Sequence, residues 1–132
     1  MFGKKKQPPI KSLIAQGSSI EGNLNFTDGL RIDGAVIGDI RAVEGSASIL
    51  VIGESATVTG QIYADHVIIN GCVTGPVHAS ELLELQPKAK IAGDVCYKAL
   101  EMHLGAVISG KLRPISREAE EKPILKLAAN NA

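Results

Sequence analysis

The sequence predicts an all-β chain: a single-stranded parallel β-helix (solenoid) of about six rungs, with a flexible tail at each end. Three observations lead there. A short phrase, aliphatic-x-Gly-x-aliphatic, recurs six times along the chain. Apolar or small residues hold every second position through most of 18–112, the period of a strand with one buried face. Hydrophobic residues make up 45% of the chain but aromatics only 3%, so the core must come from Ile, Val, Leu and Ala. With 14 glycines between them, these residues favour strands and tight bends.

The six anchors run in order from Ile20-x-Gly22-x-Leu24 and Val36-x-Gly38-x-Ile40 to Val58-x-Gly60-x-Ile62, Val73-x-Gly75-x-Val77, Ile91-x-Gly93-x-Val95 and Ile108-x-Gly110-x-Leu112. Their first residues lie 16, 22, 15, 18 and 17 positions apart, a spacing that marks a solenoid. Ile52, Leu85 and Met102 open one form of the preceding string, apolar-x-x-x-Ala-x-apolar. Ile32 and Ile69 open a tighter form, apolar-x-Gly-x-apolar. The anchor glycines serve either a bend with φ > 0 or a narrow interior without room for a side chain.

The parity of the inward positions slips as the chain advances. It is even from Ile20 to Ala42, odd from Ile49 to Gly53, and even from Ala56 to Ala64. It is then odd from Val67 to Ala79, odd from Ala89 to Tyr97 after an ambiguous "LLEL", and even from Leu100 to Leu112. Each slip is read as a corner, which a flat sheet would not need. The stretch "RAVEGSASI" (41–49) occupies the longest interval and is expected to loop outward.

Three segments follow: a basic N-terminal tail (1–12), a β-helix domain (13–115) and a flexible C-terminal tail (116–132). Residues 12–112 hold six basic against eleven acidic residues, a poor surface for nucleic acid, so no nucleic-acid partner is expected. Cys72 and Cys96 form no CxxC pair, which fits a reducing cytoplasm. No secretory signal or membrane-spanning apolar run is expected. In the tail "RPISREAEEKPILKLAANNA", Ile124, Leu125 and Leu127 make a small apolar patch in an otherwise polar segment.

Motifs with chemistry are sparse. His66, His78 and His103 fall on different rungs, at a corner or facing outward, with no evident partner. A metal site from Cys72, Cys96 and His78 would need ligands on neighbouring rungs at tetrahedral spacing. No GxxxxGK[ST] or GxSxG motif occurs, and "INGCVTG" precedes a strand rather than a helix. The expectation is no catalytic residue, no cofactor and no metal.

With these motifs in view, the chain resembles the bactofilins, a family of small bacterial cytoskeletal proteins. The resemblance rests on "MFGKKK", "LIAQGSSIEGNL", "LRIDGAVIGDI", "VIGESATVTGQIYA", "VIINGCVTGPVHA" and "LELQPKAKIAGDV", in that order. It implies a right-handed β-helix that assembles without nucleotide into non-polar filaments, often attached to the inner membrane. Expected partners are further copies of the chain, joined head-to-head and tail-to-tail, an anionic membrane surface, and proteins of cell-wall synthesis or hydrolysis. The location expected is cytoplasmic, peripheral on the inner membrane. Met1, Phe2, Lys4, Lys5 and Lys6 suit a lipid contact, Phe2 entering the interface while the lysines meet anionic headgroups. Two other readings compete: a left-handed hexapeptide-repeat acyltransferase, whose strict six-residue period the intervals break, and a monomeric solenoid adaptor.

A solenoid closes its sides but exposes a strand edge and an apolar cross-section at each end, which ordinarily need caps. None is evident here. The expected assembly surfaces are Leu13, Ile14, Ile20 and Leu24 at one end, and Leu104, Ile108, Leu112 and Ile115 at the other.

Overall fold

A computed structural model describes residues 8–45 and 47–115. Alternating apolar residues between short polar bends leave the chain no helical stripe, and the described residues form fifteen strands and no helix. The first turn holds β1 (Ile10–Ile14), β2 (Ser19–Glu21) and β3 (Leu24–Phe26). The second holds β4 (Asp28–Ile32), β5 (Ala35–Ile37) and β6 (Ile40–Ala42). The third holds β7 (Ser48–Ile52), β8 (Thr57–Thr59) and the start of β9 (Ile62–Ile69), whose remainder begins the fourth. That turn continues through β10 (Cys72–Thr74) into β11 (Val77–Leu85), and the fifth through β12 (Lys90–Ala92) into β13 (Val95–Met102). The sixth closes with β14 (Val107–Ser109) and β15 (Leu112–Pro114).

Every strand pair is parallel, and each strand meets its counterpart one turn away. Three stacks of six result. The middle stack is the six-stranded sheet β2-β5-β8-β10-β12-β14. The other two merge into a nine-stranded sheet because β9, β11 and β13 run through the corner between them. The core is a set of columns. Ile20, Val36, Val58, Val73, Ile91 and Ile108 are successive register partners, so the first residues of all six sequence anchors share one column. Leu24, Ile40, Ile62, Val77, Val95 and Leu112 form a second. Ile14, Ile32, Ile52, Ile69, Leu85 and Met102 form a third.

The anchor glycines stand at the corner between those first two columns, not in the interior. Gly38, Gly60, Gly75 and Gly93 have φ between 140° and 150°, which side chains rarely adopt. A Cβ on Gly60 would also run into the backbone carbonyl of Gly38. The expected bend with φ > 0 therefore holds, while the expected lack of room comes from the backbone of the neighbouring turn at the corner and not from a narrow interior. Beside them a ladder of polar side chains joins the turns. Asn23 Oδ1 accepts from the backbone N–H of Asp39, and Asp39 Oδ1 from that of Gln61, each at 3.0 Å. Asp94 Oδ1 accepts from the N–H of Lys111 at 2.9 Å. Pro76, which has no N–H to give, occupies the rung where the ladder breaks.

The two sequence forms correspond to two lengths of the corner before the middle stack. After Ile52, Leu85 and Met102 the corner turns through three residues and sets an Ala inward, and Ala56 and Ala89 are buried. After Ile69 it is tight, and a Cβ on Gly71 would meet the backbone carbonyls of Gly53 and Ala56.

Two parity expectations are corrected. Between Ile49 and Gly53 the inward residues are Leu50 and Ile52, both 0% exposed, while Val51 is half-buried. Ser48, Ile49 and Leu50 are buried in succession at the corner, which hides the alternation there. Ser48 is held by Asp65, whose N–H donates to Ser48 Oγ at 3.0 Å and whose Oδ2 accepts from the Ser48 N–H at 3.2 Å. Leu104 was expected to face inward; it sits on the outside of a corner turn and is 95% exposed. The outward loop expected over 41–49 is shorter: residues 43–45 and 47 form an exposed connection, while 41–42 end β6 and the buried Ser48 and Ile49 open β7. In "LLEL", Leu83 and Leu85 face the core.

Candidate assembly surfaces

The residues at the last turn are more exposed than their partners one turn below, because no further strand among the described residues stacks on them. Val95 is 0% exposed and its partner Leu112 is 46%. Leu85 is 0% exposed and its partner Met102 is 45%. Leu100, Ala106 and Ile108 pack against the core but are only partly buried. Among the described residues the sixth turn is thus a core layer without a cover, and β14 and β15 are edge strands. Ile115 is half-buried and its N–H donates to the Tyr97 carbonyl at 2.6 Å.

At the opposite end Ile14 is 8% exposed, and Ile20 and Leu24 pack partly buried against the core. Leu13 is 58% exposed and faces outward on the strand, not into the cross-section. Of the eight residues expected at the two ends, Ile14, Ile20, Leu24, Ile108 and Leu112 lie in the core columns, Ile115 follows β15 half-buried, and Leu13 and Leu104 project from the side. Met102, 45% exposed over the buried Leu85, belongs to the C-terminal apolar surface and was missed, whereas Val107 continues the outward column of Cys72 and Lys90 and projects from the side. Met1, Phe2, Lys4, Lys5 and Lys6 lie outside the described residues, as do Ile124, Leu125 and Leu127.

Two of the histidines, His78 and His103, have partners that spacing alone did not show. His78 stacks on Tyr63 with ring centroids 4.2 Å apart, and the Arg41 guanidinium lies 4.7 Å from the Tyr63 ring centre. Burial lowers the His78 pKa below its usual value, because the charged imidazolium loses solvent. His103 faces two carboxylates, Glu84 and Glu101. His66 lines a groove of about 440 Å³ with Arg41, Asp65 and Ser80, and its Nδ1 is buried without a hydrogen-bond partner. Asp65 does not serve it: its carboxylate accepts from the Ser48 N–H and the Ser80 hydroxyl. Cys72 lies on the middle stack while His78 and Cys96 are register partners on another, so the three do not converge.

Comparison with known families decides what these ends belong to. The family model described as "Bactofilin: Polymer-forming cytoskeletal" matches residues 12–113. The chain belongs to the bactofilin family. This bactofilin is also similar to the solved structure titled "Atomic structure of the cytoskeletal bactofilin BacA revealed by solid-state NMR", with 30% identity and a TM-score of 0.69. The match covers 80% of this chain and 96% of that one. No curated protein matches the chain. Membership places the bactofilin among structural, polymer-forming cytoskeletal proteins, and a polymer-forming family implies self-association.

Proposed function

We propose that this bactofilin is a non-enzymatic scaffold that assembles without nucleotide into non-polar filaments by stacking its β-helices end to end. The observation that carries this reading is the last described turn, where Leu112 and Met102 are about half exposed directly above fully buried partners. Bringing such a side chain from half exposure to burial contributes about 1 kcal/mol, and each junction offers several, together with backbone pairing of the end strands. Like ends meeting give a two-fold junction, head-to-head at the N-terminal turns and tail-to-tail at the C-terminal turns, and a filament without polarity.

The filament is held on the cytoplasmic face of the inner membrane by Met1, Phe2, Lys4, Lys5 and Lys6. Each lysine near an anionic surface adds about 1 kcal/mol. That is weak for one copy and firm for many copies along a polymer. In that position the scaffold would gather proteins of cell-wall synthesis or hydrolysis. Negative-stain electron microscopy of the pure chain in buffer free of nucleotide tests the assembly. Filaments are expected, and dispersed particles at every concentration would overturn the reading.

A further inference from the structure

We propose that Glu84, Glu101 and His103 form a binding site for a divalent transition-metal ion, of which Zn²⁺ is the type, on the outer surface of the last turn. Glu84 and Glu101 are register partners on β11 and β13, so one stands directly over the other. Their neighbours Leu83 and Leu85 are buried in the core, which turns the carboxylate column outward. His103 follows β13 immediately, and its backbone N–H donates to the Leu85 carbonyl at 2.9 Å, which fixes the residue beside both acids. Its Nε2 lies 3.4 Å from Glu101 Oε2 and 3.7 Å from Glu84 Oε2. One ligand atom from each residue lies within 4.8 Å of the other two. For bonds of about 2.0–2.1 Å, the edge of a coordination tetrahedron is about 3.3–3.4 Å, so an ion seats here with small side-chain movements.

Two further features favour an ion over a chance cluster. Carboxylates directly opposite on neighbouring strands repel, and the nearby lysines are engaged elsewhere, Lys98 with Glu81 and Lys88 with Glu54. Gln86 Nε2 donates to Glu84 Oε2 at 3.0 Å, the kind of outer contact that orients a ligating carboxylate. One imidazole nitrogen and two carboxylate oxygens, with water completing the shell, suit zinc; magnesium and calcium favour oxygen-only sets. The ion would tie the fifth turn (Glu84) to the sixth (Glu101, His103), next to the exposed Met102 and Leu104.

Isothermal titration of ZnCl₂ into the full chain carrying Cys72→Ser and Cys96→Ser, which removes competing thiols, tests the site. Binding of one ion per chain is expected, weakened at least about tenfold by His103→Ala and by Glu84→Gln. Zinc is expected to raise the thermal midpoint of the double-serine chain and to leave that of His103→Ala unmoved, with both chains showing the same strand signature by circular dichroism. Absence of binding would mean that His103 only pairs with the two acids, and would overturn the proposal. Binding that survives both substitutions would overturn it equally, by placing the ion elsewhere.

Discussion

Replacing Gly60 with Ala separates the two demands that the corner places on its glycines. Gly60 has φ 146° and its Cβ position is filled by the Gly38 carbonyl. Gly22 has φ 128° and open space around its Cβ, since among the described residues no turn lies beneath the first one. Gly22→Ala therefore meets only the backbone penalty, about 1–2 kcal/mol. Gly60→Ala adds the cost of forcing two packed turns apart, about 1–3 kcal/mol, for a total of about 2–5 kcal/mol. Urea unfolding followed by circular dichroism, in a Leu112→Arg background to limit polymerisation, measures both. The Gly60 variant should show the lower midpoint at a similar slope. Equal losses for the two variants would refute the stacking argument and leave φ as the whole reason for the glycines.

Leu85→Ala should cost about 2–5 kcal/mol because it empties a fully buried position, whereas Met102→Ala, one turn above and half exposed, should cost about 1 kcal/mol or less; the same urea titration compares them. His78 has a lowered pKa in the folded chain, so its contribution to stability is complete above the unfolded value of about 6.5 and declines as pH falls from there toward the lowered folded value. His78→Gln should flatten that part of the profile of thermal midpoint against pH, and an unchanged profile would count against burial of the ring. Deleting residues 2–6 should abolish co-sedimentation with anionic liposomes while leaving filaments intact by electron microscopy, since those residues lie outside the sequence repeat. Retained lipid binding, or lost filaments, would argue against a membrane role for that segment.

The solenoid was legible because its buried positions are written twice, once as alternation within strands and once as the recurring anchor. Val36, Val58 and Val73 could be recognised as equivalents before their register was known, and they do share a column. What stayed hidden depends on register between turns of unequal length. The intervals range from 15 to 22 residues, so no fixed offset brings Glu84 to Glu101, Tyr63 to His78, or Asn23 to the N–H of Asp39. Parity also fails at corners. Ser48, Ile49 and Leu50 are all buried, and Leu104 occupies an even position on a turn that carries it outward. The end surfaces were partly legible for the same reason: Leu112 and Ile108 follow from the columns, while the exposure of Met102 over the buried Leu85 emerges only when the last described turn is seen.

The most direct test of end-to-end assembly is the size of Leu112→Arg by size-exclusion chromatography with light scattering. Leu112 stands over the buried Val95 in the last core layer, and a two-fold junction would bring two such arginines into one apolar interface. The tail-to-tail contact should then fail while the head-to-head contact persists, so the chain should elute as a dimer. Filaments that persist in Leu112→Arg would contradict the account by showing that the C-terminal turn is not an assembly surface, and folded monomers would contradict its two-fold junctions in favour of head-to-tail growth.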